Sequence, residues 1–313
     1  MTEPATAQRS AHVQSATGPP VTGSTKWLVL GILAFAGFWV TYAVSVLTSR
    51  GHYIENAALR GADQVDAALV VEADSALNAI TETSLAVVSL LVVVVALLRR
   101  RVDLAIAASA IIVGSSLITQ VLKRFVLPRP ELIEVTGPYT INSFPSGHTT
   151  IAMSVLFALL IVVPFRWRGV AMFFGAFFAV AIGAHTLTSK WHRFSDTLGA
   201  DLVAFGVACL VTIALVQRGA LVRVVGGRFP LRVLFVVAPL ALSTVVSLGL
   251  GVLLLLLSEL PTAPDEVLDY NMYLALHGLA AGASGLTALA FWWSWRRIDV
   301  GSPPTEHHER PSR

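Results

Sequence analysis

The sequence predicts an all-α integral membrane protein with eight transmembrane helices, and three observations carry that expectation. The chain is apolar: of 313 residues, 55% are hydrophobic and 13% charged, with a mean hydropathy of +0.72. Soluble domains carry about 25% charged residues, so this chain cannot cover a water-facing surface, and lipid is its expected solvent. Eight apolar runs approach the roughly 20 residues that a helix needs to cross a bilayer core. Finally, the basic residues fall mostly on one side of the zigzag those runs define, as cytoplasmic loops require.

In chain order, residues 1–26 are polar and without an apolar period, and are expected to form a disordered cytoplasmic tail. The first run, about 27–47, is too long for a signal-peptide core and lacks a small-residue cleavage site, so it reads as an uncleaved anchor. An acidic outer loop, 48–79, follows. The next runs are about 80–98, 104–122, 149–165, 169–187 and 197–217. They complete a six-span core at 27–217. After an Arg-dotted linker, two further spans at about 232–258 and 272–294 make up a segment at 218–297, and 298–313 reads as a second disordered tail. The single Cys209 removes any disulfide or Cys-based metal site. No internal repeat is visible, which weakens a transporter built on duplicated halves.

Arg99, Arg100, Arg101, Arg166, Arg168, Arg218, Arg223, Arg228, Arg232, Arg296 and Arg297 share one face of the zigzag. With Arg9, Lys26, Arg310 and Arg313, that face holds fifteen of the 22 basic residues. Glu55, Asp63, Asp66, Glu72, Asp74, Glu131, Glu134, Asp265, Glu266 and Asp269 collect on the other. Both termini are therefore expected in the cytoplasm of a multi-pass plasma (inner) membrane protein, with the loops near 48–79, 123–148, 188–196 and 259–271 outside.

Five of the seven outer basic residues break the charge rule by clustering: Lys123, Arg124, Arg129, Lys190 and Arg193. Such a concentration points to an anionic ligand. In KRFVLPRP, Lys123 supplies a point charge and Arg129 a planar fork of donors suited to phosphate oxygens, unless both snorkel to headgroups. In SFPSGH, Ser146 and Gly147 lead into a helix whose N-terminal N–H groups can cradle an anion beside His148; an ordinary N-cap is the plainer reading. In SKWHRFSD, His192 lies four residues before Asp196. A carboxylate on one imidazole nitrogen leaves the other free for attack, although a loop-anchoring pair has the same spacing. Asp201, about 7 Å deeper in the same helix, is expected to face the bundle interior as a structural group, with His185 a candidate partner.

Taken together, these clusters resemble the type 2 phosphatidic acid phosphatase superfamily, the lipid phosphate phosphatases related to vanadium haloperoxidases. Its signatures are K-x6-R-P, P-S-G-H and S-R-x5-H-x3-D. The second is complete at Pro145, Ser146, Gly147 and His148, and H-x3-D is complete at His192 and Asp196. The resemblance covers roughly 80–217 together with the first span, and implies a six-helix lipid-phosphatase core to which the last two transmembrane helices are added. The first signature is here K-x5-R-P, so the family's Lys position is strictly Leu122, a turn of about 100° away on a helix. The family's Arg before the nucleophile is Thr186, with Lys190 or Arg193 as possible replacements.

The resemblance implies that His192 attacks phosphorus, Asp196 orients it, and His148 protonates the leaving group and then activates water. It also implies that Lys123, Arg129, Ser146 and Gly147 bind the non-bridging oxygens. The expected partner is a membrane lipid substrate of phosphatidic acid or polyprenyl diphosphate type, with no cofactor, no metal and no nucleic acid. The alternative is a catalytically weak or inactive lipid-binding or transport protein that retains the fold.

Overall fold

The computed structural model describes residues 18–79, 82–133, 142–226, 230–258 and 263–301. The far ends of both expected tails, and with them Arg9, Glu134, Arg228, Arg310 and Arg313, lie outside the described residues. Among the described residues, six helical stretches are long and apolar enough to cross a membrane, as in a multi-pass membrane protein. They are Thr25–Val46, Val102–Val126, Arg168–Thr188, Phe194–Gln217, Val233–Ser258 and Asp265–Ser294. Two expected spans are shorter: α4 (Glu82–Leu98), apolar over Ala86–Leu98, and α6 (Gly147–Val162).

Helix α1 (Thr25–Thr41) continues into a wide π turn, Tyr42–Val46. The expected loop 48–79 is instead two helices, α2 (Ser49–Gly61) and α3 (Ala67–Asn78). Neither is apolar enough to read as a span, yet each has its own cap. Thr48 Oγ1 accepts the Gly51 N–H at 3.0 Å and Asp66 Oδ1 the Ala68 N–H at 2.8 Å, satisfying donors that a helix start leaves open.

Helix α5 (Val102–Val121) also ends in a π turn, Leu122–Val126. Helix α6 is the centre of the bundle and packs against α5, α7 (Arg168–Thr188) and α8 (Phe194–Gln217). At about 24 Å it is shorter than a bilayer core. The apolar run read as continuing to 165 stops at Val162 because Pro164 disfavours helical backbone in the residue before it. Phe157 of α6 stacks on Phe291 at 4.6 Å and meets Phe205 at 6.0 Å, joining three helices in one aromatic core. A single turn, α9 (Pro230–Arg232), leads through Val233–Val237 into α10 (Ala238–Ser258), and α11 (Asp265–Ser294) packs on α10, α2, α7 and α8. Helix α11 begins seven residues before the expected 272 because Asp265 and Glu266 sit in its first turn, where the helix dipole favours acidic groups.

At the end of the bundle away from the π turn of α5, the two expected tails are partly ordered. Strand β1 (Leu221–Arg223) pairs antiparallel with β2 (Ile298–Val300), and Pro20 bridges to Val222. The buried Arg168 fastens this sheet to the helices. Its guanidinium donates to the Leu160 carbonyl at 2.7 Å and the Ile298 carbonyl at 2.5 Å, and faces Asp299 at 3.4 Å. Residues 298–300 were expected in a disordered tail because their three-residue strand is too short to show a period.

Asp201 is fully buried, and its partner is not His185. Ser284 of α11 donates its hydroxyl to Asp201 Oδ2 at 2.7 Å, which ties the last helix to α8 inside the bundle. Asp201→Asn keeps an acceptor for Ser284 and is expected to leave the thermal unfolding midpoint nearly unchanged. Asp201→Ala should cost about 1–3 kcal/mol, read as a lower midpoint in detergent.

Candidate active site

The three sequence clusters converge at one end of the bundle. Lys123 and Arg129 come from the end of α5 and the extended chain beyond it, Ser146, Gly147 and His148 from the start of α6, and His192 and Asp196 from the turn between α7 and α8. Asp196 is where they meet. Its Oδ2 accepts from Ser143 Oγ at 2.5 Å, from the Arg193 backbone N–H at 2.9 Å and from His192 Nδ1 at 3.3 Å. The Asp196 carbonyl accepts the Ser146 N–H at 2.9 Å, and Arg129 Nη1 stands 3.9 Å from Oδ1. A carboxylate can only accept, so the His192 ring carries its proton on Nδ1 and keeps a lone pair on Nε2.

His148 is half-buried against Trp191, with ring centroids 5.4 Å apart, and its ring lies 6.2 Å from that of His192. Lys123 is close enough for its charge to act on both His148 and Asp196. Lys123 lies in the π turn rather than on a straight α-helix, so the 100° per residue of an α-helix does not apply to the shortened K-x5-R-P spacing. There Leu127 N–H reaches back five residues to the Leu122 carbonyl at 2.9 Å.

Ser146 is the N-cap of α6. Its Oγ accepts from Thr149 N at 3.3 Å and Thr149 Oγ1 at 3.1 Å, which leaves its own hydroxyl proton uncommitted. Gly147 opens the helix, and a Cβ built there would meet nothing nearer than Gln120 Nε2 at 3.7 Å. The protein interior does not demand glycine at this position, and a bare backbone at a helix start is open to an anion approaching the N–H groups.

Thr186 is fully buried and serves as an anchor. Its hydroxyl donates to the Gly183 carbonyl at 2.7 Å and faces Thr197 Oγ1 at 3.3 Å, while its carbonyl accepts the Trp191 and His192 N–H groups, both at 3.0 Å. Of the two possible replacement cations, Lys190 pairs with Asp63 at an exposed position. Arg193 is 5% exposed, reaches Ser143 Oγ at 3.4 Å and belongs to the site.

The residue that sequence reasoning missed is Glu55. Counted there among the outer acidic residues, it is 3% exposed and turned into the site from α2. Its Oε2 accepts from Arg129 Nη2 at 2.9 Å and its Oε1 from the Ser195 N–H at 3.0 Å. The available signal was the stripe His52, Glu55, Asn56 and Leu59, spaced as one buried helix face. His52 supports that face by donating its Nε2–H to the Val46 carbonyl at 2.8 Å, and burial is the main cause holding its pKa below the ordinary imidazole value. Among the described residues, no cluster of three or more His, Cys, Asp or Glu side chains is arranged to hold a metal ion.

The PAP2 superfamily matches the chain over residues 103–220. The match covers 118 of the 313 residues. It spans α5 to α8 and contains every site residue singled out in the sequence, whereas Glu55, α10 and α11 lie outside it. No curated protein and no solved structure matches the chain. The match points to phosphatase chemistry on phosphate esters, and the site has the matching parts: fixed cations, a helix N-terminus and two imidazoles.

If the space before Gly147 serves an anion, Gly147→Ala should fold with an unfolding midpoint at or above that of the parent, since alanine suits a helix better than glycine. The same variant should bind inorganic phosphate or vanadate at least about tenfold more weakly, as measured by calorimetry.

Proposed function

We propose that the protein is an integral-membrane lipid phosphatase that hydrolyses a phosphate monoester or diphosphate of a lipid, of phosphatidic acid or polyprenyl diphosphate type. It acts at the outer face of the plasma (inner) membrane, with both termini cytoplasmic, eight spans and a phosphohistidine intermediate. The observation that carries this reading is His192 held through Nδ1 by the buried Asp196, with His148 beside it.

In the first step the Nε2 lone pair attacks phosphorus. As the N–P bond forms, the ester P–O bond breaks, and protonated His148 gives its proton to the leaving oxygen. Neutral His148 then takes a proton from water, whose oxygen attacks phosphorus and expels His192 Nε2. Arg129, Lys123, the Ser146 hydroxyl and the Gly147 backbone neutralise the non-bridging oxygens, so these residues supply the charge stabilisation without a metal.

A groove of about 450 Å³ between α1, α5 and α8 supports a lipid substrate. Its wall includes Trp27, Phe35, Phe38, Trp39, Leu202 and Leu122, and Leu122 adjoins Lys123. The distribution of Lys and Arg supports the sidedness. The buried, uncharged Thr186 and the pairing of Arg129 with Glu55 favour the second reading, a lipid-binding protein of low activity.

Purified protein in the presence of a chelator is expected to release phosphate from at least one of phosphatidic acid, phosphatidylglycerol phosphate and a polyprenyl diphosphate. His192→Ala should abolish release and His148→Ala should lower kcat by about 10²–10⁴-fold. Release that persists in His192→Ala removes its role as nucleophile; no release from any of the three by the parent protein supports the lipid-binding reading.

A further inference from the structure

We propose that Glu55 is a specificity-determining residue that matches this site, with both imidazoles neutral, to a phosphate carrying a single negative charge, as in the monoanion of a monoester. The inference rests on the phosphate-ester reading above and narrows its substrate class.

Glu55 lies on α2, outside the stretch that the PAP2 superfamily matches, and reaches the site from there. Both of its oxygens point at groups that would otherwise serve a phosphate. Oε2 takes a hydrogen bond from Arg129 at 2.9 Å and lies 4.0 Å from Arg193 Nε, and Oε1 takes the Ser195 N–H in the first turn of α8. The Arg129 and Glu55 side chains are 4% and 3% exposed, so solvent screens this pair little.

The charges then decide what the site can accept. Arg129, Arg193 and, at longer range, Lys123 stand against two carboxylates, Asp196 and Glu55, which leaves one net positive charge while both imidazoles are neutral; the proton that His148 gives to the leaving oxygen then arrives on the substrate monoanion. Position 186 adds nothing, since a threonine stands where the family signature has arginine. A phosphate monoanion balances that single charge. A dianion leaves an excess negative charge beside a buried carboxylate, which is costly where the effective dielectric is low.

The test compares two lipids that differ by one methyl group and one charge. Dihexanoyl phosphatidic acid is a dianion at about pH 8.5, above its second ionisation, and dihexanoyl phosphatidylmethanol is a monoanion. Binding is measured by calorimetry on the purified full chain carrying His192→Asn, so that no turnover intervenes. The monoanion is expected to bind at least as tightly as the dianion. Adding Glu55→Gln should shift the affinity ratio toward the dianion by about tenfold or more, while Glu55→Asp should keep the original ratio.

A clear preference for the dianion with Glu55 in place, failure of both lipids to bind, or an unchanged ratio in folded Glu55→Gln would each overturn the proposal. If Glu55→Gln does not fold, the comparison with Glu55 in place still decides. Phosphate release by the parent protein is read separately, so failure of the phosphatase reading is distinguishable from failure of the charge match.

Discussion

A single buried carboxylate organises this protein's chemistry. Asp196 has no exposed surface, yet it receives a side chain from the loop before α6, a backbone N–H from its own capping turn and an imidazole from the α7–α8 turn. A carboxylate stays ionised at such a place only when hydrogen bonds and nearby cations replace water. Each of these contacts therefore holds one loop of the site to the others. The orientation of His192 follows from the same requirement, because Nδ1 donates to Asp196 and leaves the free lone pair on Nε2.

The rest of the fold keeps those loops in place from two directions. At the site end, α2 and α11 pack together, and Arg60 of α2 forms a two-point pair with Asp269 of α11 at 2.7 and 2.9 Å. Their approach is close: a Cβ on Gly61 would fall 2.0 Å from the Asp269 carbonyl oxygen, so glycine is required there. At the other end, Arg168 and the two-stranded sheet gather the start of the chain, the 218–226 linker and the end of α11. The residues outside the matched stretch thus hold it in place, and through Glu55 they also alter the charge of the site.

Much of this was legible in the sequence, for physical reasons that also explain what was not. Spans were visible because lipid demands long apolar runs, and the site clusters because cations, prolines and histidines are conspicuous between such runs. The end of α6 was overestimated because apolar composition cannot see that Pro164 ends the helix at Val162. Helices α2 and α3 were read as loop because hydropathy averages hide caps such as Thr48 and Asp66. Glu55 was lost for the same reason, since its role depends on which face of α2 meets Arg129. The spacing departure at Lys123 was read on α-helical geometry, and the π turn that carries the residue is a property of the backbone that spacing does not reveal.

The central claim is that Asp196 holds His192 by Nδ1 and so commits Nε2 to the phosphorus. The most direct measurement is to quench the enzyme during turnover of a lipid phosphate and locate the phosphate on the imidazole by phosphorus–nitrogen correlated NMR of the denatured chain. The account predicts a phosphohistidine at His192 with phosphorus on Nε2, and phosphorus on Nδ1, or on any residue other than His192, would contradict it.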